Sequence, residues 1–471
     1  MNTFMGLDIG TTHIKALALS DKGEVLAQGS VDTPVGFDRW GVVHDADALV
    51  AACQGAVQRV LSQLNGCNRN IGAISVASMG EEGFFLDEGG YPLYPAIAWF
   101  EQRIADRWRT WVEQYPEARF MTGHTVKPTY SLFKWLWMKE HLSDLWPRVR
   151  SWVSVSDYVG FRLSGELRLS YSQAARTYVF NPRLRSWIVP WIEEALPDGL
   201  RNLPEAVPSG TVLGLSEFAA KSWGLDERVA VVVGGHDHPV GAIGAGVINS
   251  SKILDSMGTA ELLYWPQETL ADVSLPLGFR YGYTGYPSGP YYLGAATYTG
   301  MTINTLSRLL QMELASLSNI TGFAPTEVVV IPNLLGAPPA FEIRGISHTT
   351  QPETIMKAAV QSSAMVIRWA LSNMPGLCST TAPSVVVIGG GARDWVLKLK
   401  ADILQMPLYT MDGVEMVALG AARIARMAMT GREDVALATT MVEPLVQHAD
   451  YYNGQFEQFR ALWMGAREKM G

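Results

Sequence analysis

The sequence predicts an α/β fold made of two similar halves that face each other across a cleft. Strand-like and helix-like segments alternate along the chain, and each half opens with a strand, a Gly-Thr turn and a second strand, first around Gly10 and again around Gly258. The length of 471 residues and the hydrophobic content of 48% suit two or three domains with substantial cores. We place the boundary near residues 247–251, which gives domains of residues 1–247 and 248–471.

The first half is predicted to begin with a meander of short strands joined by glycine-containing turns, followed by a helix and a buried strand. Apolar residues recur at helical spacing over residues 46–64, which supports the first helix. Strands are predicted at residues 3–7, 14–19, 24–28, 71–77 and 229–233, and helices at residues 46–64, 99–115, 131–141 and 240–246.

The second half is predicted to repeat the strand, turn and strand pattern before a run of helices. A later strand ends in consecutive glycines, Gly389 to Gly391, where a helix follows. Strands are predicted within residues 251–265 and at residues 384–388. Helices are predicted at residues 300–317, 352–374 and 415–429, and a further helix follows the glycines and ends at residue 404.

Composition and charge exclude several classes of partner. The formal net charge is −8 and the isoelectric point is near 5.6, which argues against a general nucleic-acid or anionic-membrane surface. No apolar run approaches the roughly 20 residues that a membrane helix needs. The scattered cysteines Cys53, Cys67 and Cys378 and the absence of a signal-peptide pattern predict a cytoplasmic protein with free thiols.

The first Gly-Thr turn is a candidate phosphate-binding loop. Backbone N–H groups and hydroxyls of Gly10, Thr11 and Thr12 can contact phosphate oxygens, and Lys15 can add positive charge. Asp8, directly before the loop, can hold Mg²⁺ because hard cations prefer carboxylate oxygen. The alternative is an ordinary hairpin turn.

Two further glycine-containing segments strengthen the phosphate interpretation. Gly258 and Thr259 form a second turn of the same kind, so that two loops can contact a polyphosphate from both sides. Gly390, Gly391 and Ala392 lie where a strand becomes a helix, a position whose backbone amides suit a nucleotide. The alternative for this last segment is a tightly packed turn.

Asp237 is the candidate general base. It follows a predicted strand and two glycines, so its carboxylate can reach an open cleft. Transfer of a phosphoryl group to an alcohol needs a carboxylate that accepts the hydroxyl proton. His236 and His238 flank it, but no third ligand lies nearby in sequence, which disfavours a metal site.

These motifs, in this order, resemble the FGGY family of carbohydrate kinases over nearly the whole chain. The similar segments are residues 5–15, 95–103, 157–166, 234–237, 389–392, 401–404 and 415–422. The resemblance implies two actin-like (ribonuclease H-like) ATPase domains with an interdomain cleft, ATP and Mg²⁺ as cofactors, Asp237 as catalytic base, and a small sugar or polyol as substrate. A homodimer is possible. A nucleotide-dependent regulatory protein and an ATPase or phosphatase of the same fold remain the alternatives.

The resemblance also implies which residues contact the sugar, namely Met79, Glu81, Trp99 and Asp237. Three departures alter that region: Glu101 replaces the usual Asp, residues 78–83 replace the xylulokinase pattern, and residues 333–345 are shortened and lack an acidic-basic pair. Glu81 is expected to contact hydroxyls and to repel acids, which favours a neutral substrate unless Arg103 or another cation compensates its charge. For Glu82, a solvent-facing side chain is the alternative left open.

Overall fold

The computed structural model describes residues 3–103, 107–196, 202–214, 217–226, 228–258, 260–270, 275, 278–284, 286, 291–313, 327–332, 341–377, 383–411, 414–432 and 439–468. The strands are β1 Thr3–Ile9, β2 His13–Ser20, β3 Val25–Asp32, β4 Gly36–Asp38, β5 Gly41–His44, β6 Ile71–Ser78, β7 Gly83–Leu86, β8 Ala96–Ile97, β9 Ser151–Ser154, β10 Arg168–Ser170, β11 Phe180–Asn181, β12 Ser186–Trp187, β13 Glu205–Val207, β14 Val212–Leu213, β15 Ala230–His236, β16 Lys252–Met257, β17 Glu261–Gln267, β18 Phe279–Tyr283, β19 Tyr291–Thr297, β20 Val329–Pro332, β21 Phe341–Arg344, β22 Ser384–Ile388, β23 Leu408–Thr410 and β24 Thr440–Val442.

The helices lie between these strands and after the last of them. They are α1 Ala46–Gln63, α2 Arg107–Gln114, α3 Ala118–Thr122, α4 Ser131–His141, α5 Val155–Ser164, α6 Tyr171–Ala174, α7 Val189–Ala195, α8 Glu217–Trp223, α9 Asp237–Gly244, α10 Thr299–Leu309, α11 Pro352–Ser372, α12 Asp394–Leu404, α13 Met416–Thr430 and α14 Ala449–Glu468. None of the helices in the described ranges is long and apolar enough to cross a membrane.

Two large mixed sheets form the framework, and their strand orders correspond. The first sheet runs β14, β15, β6, β1, β2, β3, with β1 antiparallel to β2 and parallel to β6. The second runs β18, β19, β17, β16, β22, β23, β24, with β16 antiparallel to β17 and parallel to β22. The Gly-Thr turns therefore join the same pair of strands in each sheet, which confirms the predicted similarity of the two halves.

Helix α13 comes from the second half of the sequence but packs on the first sheet. A Cβ at Gly420 of α13 would lie 1.8 Å from the carbonyl oxygen of Val240 in α9, and a Cβ at Gly244 would lie 1.8 Å from that of Met416. A Cβ at Gly6 in β1 would lie 1.9 Å from the Ala418 carbonyl oxygen. Glycine is therefore required at these contacts, because any side chain there would push the backbones apart.

Most predicted elements are confirmed to within a few residues, with α4 and β22 matching at both ends. The helix predicted over residues 99–115 is wrong at its start, because residues 99–103 form turns and irregular structure; α2 is described from Arg107 to Gln114. Helix α10 ends at Leu309, earlier than expected. The domain boundary near residues 247–251 falls between α9 and β16 and stays a prediction. Residues 333–340 of the shortened segment lie outside the described residues.

The glycine contact between α9 and α13 gives a stability prediction. Gly420→Ala should lower the free energy of unfolding by roughly 1–3 kcal/mol, because the added methyl group overlaps backbone atoms of α9. Gly160→Ala, in the middle of α5, is the matched control: no atom lies within 4 Å of its Cβ position. The control should be neutral or stabilising by up to about 1 kcal/mol through helix propensity. Chemical denaturation of both variants checks this, and equal stabilities would contradict the account of the contact.

Candidate active site

Asp237 is the first residue of α9, immediately after β15 ends at His236. The register of β15 against β6 shifts between Val233 and Gly235, and such irregularities redirect the side chains that follow. Gly235 has φ +146°, and a Cβ there would lie 2.3 Å from Ser172 Oγ. The glycines before Asp237 thus let the strand end pack closely while Asp237 is held at the start of a helix.

Two histidines accompany the Asp237 carboxylate. His236 Nε2 lies 3.1 Å from Asp237 Oδ1, and His238 Nε2 lies 4.0 Å from the same oxygen. The His238 backbone N–H donates to Asp237 Oδ1 at 2.6 Å. Burial is the main cause that lowers the pKa of both imidazoles, so both are neutral near pH 7. One donor atom from each of these three residues lies within 4.8 Å of the others, and they are the same three consecutive residues that the sequence analysis weighed as a metal site and disfavoured.

Asp8 lies close enough to Asp237 for the two carboxylates to repel each other. Burial, followed by the charge of Asp237, raises the pKa of Asp8 to about 7, while Lys15 opposes the shift. Lys15 is opposite Asp8 in the β1–β2 register, and its Nζ lies 2.7 Å from Glu415 Oε2 at the start of α13. The site therefore holds buried negative charge that a cation would stabilise.

The first Gly-Thr turn is joined to the Trp99 segment. The Trp99 indole Nε1–H donates to Thr11 Oγ1 at 2.9 Å, and Gly10 N–H donates to the His13 carbonyl at 3.1 Å. The Thr12 side chain is exposed. The structure thus brings Gly10, Thr11, Lys15 and Trp99 together beside Asp8.

Glu81 and Glu82 are both buried, so neither faces solvent. Glu81 has φ +61°, an unusual conformation for a residue with a side chain, and its carboxylate pairs with Arg176. Glu82 pairs with His44 and accepts the Trp99 backbone N–H at 2.9 Å. Solvent exposure, the alternative that the sequence left open for Glu82, is therefore excluded.

Two other predicted positions, Met79 and Glu101, contact mainly the protein itself. The Met79 side chain lies in the hydrophobic core, so only its backbone is available to a ligand. Glu101, which replaces the usual Asp, accepts the Val42 backbone N–H at 2.8 Å. Its longer side chain thus caps β5.

Apart from the Asp237 site, a cavity with a volume of about 300 Å³ lies on the second sheet. It brings Gly258, Gly390 and Gly391 together, as the sequence predicts; its other lining residues are Met257, Glu261, Thr299, Gly300, Ile303, Asn304, Val360, Ser363, Arg393, Trp395 and Val396. No atom lies within 4 Å of a Cβ position at Gly390. Ala392 does not line the cavity; its N–H donates to the Gly389 carbonyl at 3.0 Å. Thr259 lies outside the described residues.

A buried charge cluster supports the floor of this cavity. Lys400 of α12 pairs with Asp255 of β16 and with the cavity residue Glu261, which also accepts a hydrogen bond from Thr299. Because a buried lysine between two carboxylates fixes both of them, this cluster holds α12 against the strand-turn-strand unit. No local sequence pattern predicts this cluster, because its members come from separate elements.

The fold and the two facing sites define an α/β phosphotransferase: a glycine-lined cavity of nucleotide size on one lobe, and paired carboxylates with a phosphate-type loop on the other. Comparison with known proteins identifies the family. Residues 3–244 match the N-terminal domain, and residues 325–429 the C-terminal domain, of the FGGY family of carbohydrate kinases. The chain belongs to this family and is an ATP-dependent carbohydrate kinase.

Individual relatives share about a quarter or less of their sequence with this chain. The chain is 24% identical to a xylulose kinase of Staphylococcus epidermidis, with 98% of this chain and 97% of the relative covered. It is 25% identical to an L-fuculokinase of Escherichia coli, with 88% and 90% covered. The solved structure of a ligand-bound xylulose kinase from Lactobacillus acidophilus superposes with a TM-score of 0.87 at 20% identity, covering 100% of this chain and 99% of that one. These matches confirm the predicted family and fold.

The Asp8 carboxylate gives a pH prediction. Its pKa in the folded, ligand-free protein is about 7, above the ordinary value of 3.8, so the folded state holds the proton longer than the unfolded state. Stability is therefore lost as pH rises through this window. Asp8→Asn should raise Tm relative to wild type, by a margin that grows from about pH 4 to about pH 7 and then levels off.

Differential scanning fluorimetry across this pH range provides the measurement. Asp226→Asn is the control, because the exposed Asp226 carboxylate pairs with Arg228, which lowers its pKa. The difference in Tm between Asp226→Asn and wild type should not grow over this pH range. Parallel Tm curves for Asp8→Asn and wild type would show that Asp8 is not a buried, repelled carboxylate.

Proposed function

We propose that Asp237 is the general base that accepts the proton of a substrate hydroxyl as that hydroxyl attacks the γ-phosphate of ATP. The single observation that carries this assignment is the position of Asp237: it begins α9, directly after β15, within electrostatic reach of Asp8 beside the first Gly-Thr turn. Its Oδ1 is held by the His238 backbone N–H, which leaves Oδ2 for the hydroxyl. A carboxylate held in this way is suited to proton acceptance.

The nucleotide is assigned to the glycine-lined cavity on the second sheet. Gly258, Gly390 and Gly391 allow close approach of backbone to ligand, and the volume suits an adenosine group. The phosphates would extend toward Gly10, Thr11, Thr12 and Lys15 across the cleft. This arrangement leaves the terminal phosphate between the two Gly-Thr turns and places the acceptor on the side of Asp237.

Asp8 is assigned to hold Mg²⁺, either directly or through water. The donor set fits: a buried carboxylate with a raised pKa next to Asp237 gains most from a hard cation. Mg²⁺, when bound, supplies positive charge to the phosphate oxygens. Lys15 contributes a second positive charge, and Glu415 holds the Lys15 ammonium at 2.7 Å.

The acceptor is assigned to the pocket beside Asp237 and Glu81. Relatives named xylulose kinase and L-fuculokinase indicate a small sugar as acceptor class. D-xylulose itself is disfavoured because residues 78–83 depart from the xylulokinase pattern. The expected repulsion of acids by Glu81 rested on an uncompensated carboxylate. Arg103, the cation first considered for that role, pairs instead with Asp38, and Arg176 compensates Glu81.

Asp237→Asn tests the assignment of the base. The change keeps the shape of the side chain but removes the proton acceptor, so kcat should fall by at least about a hundredfold. The assay is coupled ADP release with a panel of ketoses, polyols and aldonates, followed by the best acceptor alone. The His238→Gln variant is the comparison, since it alters a neighbour without removing the carboxylate, and it should lose much less activity. Near-normal turnover by a folded Asp237→Asn variant would exclude Asp237 as the base.

A further inference from the structure

Three basic side chains from different elements meet beside the proposed acceptor pocket, and the sequence analysis singled out none of them. His124 follows α3, Lys127 lies in the loop before α4, and Arg280 lies on β18 of the second sheet. The Tyr281 backbone N–H donates to the Gly123 carbonyl at 3.0 Å, which fixes Arg280 next to His124. We call His124, Lys127 and Arg280 the basic cluster.

The polar atoms of the basic cluster lack partners within the described part of the chain. Both ring nitrogens of His124 and the Nε of Arg280 are buried without a hydrogen bond, and His124 is only 1% exposed. Among the described residues, no carboxylate lies within ion-pair distance of Lys127 or Arg280. Unpaired buried donors are costly, so such a group is expected to have a ligand.

The electrostatics of the cluster point to an anion. Burial, with the charge of Arg280, lowers the pKa of Lys127 to about 7. Burial lowers the pKa of His124 to about 3, with Arg280 and Lys127 adding to the shift. The His124 imidazole is therefore a neutral donor, while Lys127 and Arg280 repel each other. A bound anion would remove that repulsion.

The basic cluster lies close enough to the Asp237 site for the charges of both to act on the same neighbour. Asp237, Arg280 and Lys127 all act on the pKa of His238, whose Nε2 lies 4.0 Å from the Asp237 carboxylate. Arg176 is also within reach of both Arg280 and Asp237, but its charge is matched by Glu81. Lys127 and Arg280, taken together with the Asp237 carboxylate, carry one net positive charge. A ligand with a single carboxylate balances that charge better than a phosphate ester does.

We propose that the acceptor of this kinase is a polyhydroxy acid, whose carboxylate binds the basic cluster while one of its hydroxyls faces Asp237. The inference rests on the proposed acceptor pocket and names its substrate class. It reverses the preference for neutral substrates expected from Glu81 alone. The guanidinium of Arg280 offers the carboxylate a forked pair of donors, and Lys127 adds a point charge. Because Arg280 belongs to the second sheet, both halves of the chain contact the same substrate.

Binding measurements test the proposal without depending on turnover. Calorimetry of the full-length protein with a non-hydrolysable ATP analogue compares each alditol with its matching aldonate, for example glucitol with gluconate. The aldonate should bind at least about tenfold more tightly, since a charged hydrogen bond is worth roughly that factor or more. The corresponding alditol phosphate forms a third arm. Equal binding of alditol and aldonate, or tightest binding of the phosphate, would overturn the proposal.

Variants locate the effect. Lys127→Met and Arg280→Gln should each reduce the aldonate-to-alditol ratio by about tenfold, because each removes one charged contact. Arg183→Gln is the matched control: Arg183 Nε donates to Tyr281 Oη at 3.1 Å, and the Tyr281 side chain points to the opposite face of β18 from that of Arg280 because side chains alternate along a strand. The control should leave the ratio unchanged. An unchanged ratio in both folded test variants, or in Lys127→Met alone if Arg280→Gln does not fold, would contradict the assigned contacts.

Turnover separates this inference from the kinase assignment. Phosphorylation of alditols in preference to aldonates would overturn the acid inference and leave the kinase assignment standing. Preferential phosphorylation of aldonates that a folded Asp237→Asn variant carries out at a near-normal rate would support the acid inference and contradict the assignment of Asp237 as base.

Discussion

The close contact of α13 with α9 and β1 is the constraint on which the site depends. Gly420, Gly244 and Gly6 remove the side chains that would otherwise separate these backbones. Helix α9 begins with Asp237, β1 carries Asp8, and α13 follows Glu415, which pairs with Lys15. A single tightly packed contact therefore fixes the proposed base, the proposed Mg²⁺ ligand and the phosphate-side lysine relative to one another, although Asp237 lies in the middle of the sequence and Asp8 and Lys15 lie near its start.

Charge is divided between two sides of the acceptor pocket. On the phosphate side, burial and then the neighbouring Asp237 carboxylate raise the pKa of Asp8, which therefore gains from a cation. On the other side, burial and then the charge of Arg280 lower the pKa of Lys127, which therefore gains from an anion. Each side is thus electrostatically incomplete in the free protein and is stabilised by the ligand it is assigned. When a cation occupies the phosphate side and an anion occupies the basic cluster, a polyhydroxy acid is oriented with its carboxylate away from the phosphates.

The features that local sequence could predict are those that depend on neighbouring residues. The Gly-Thr turns, Gly390 with Gly391, and the position of Asp237 after β15 all follow from short patterns, and the structure places them in two facing sites. The start of α2 could not be predicted, because the Trp99 backbone N–H is committed to Glu82 and its carbonyl to Lys134. These side-chain bonds replace the helical ones that an amphipathic pattern suggests.

The acceptor side depends on contacts between residues distant in sequence. Glu81 and Arg176 are 95 positions apart, and nothing in the pattern around Glu81 shows that its charge is matched. Arg280 reaches His124 and Lys127 only because β18 bonds to the Gly123 carbonyl. The proposed preference for an acid therefore depends on partners that no local pattern around Glu81 shows.

The account centres on Asp237 contacting the acceptor hydroxyl within a site built from both halves of the chain. The most direct test is a crystal structure with a non-hydrolysable ATP analogue and an aldonate, in which the distance from the nearest acceptor hydroxyl to the Asp237 carboxylate is measured. The account predicts a hydrogen bond of about 2.6–3.2 Å, with the analogue in the glycine-lined cavity. An acceptor whose hydroxyls all lie beyond reach of Asp237, directly or through one water, would contradict it.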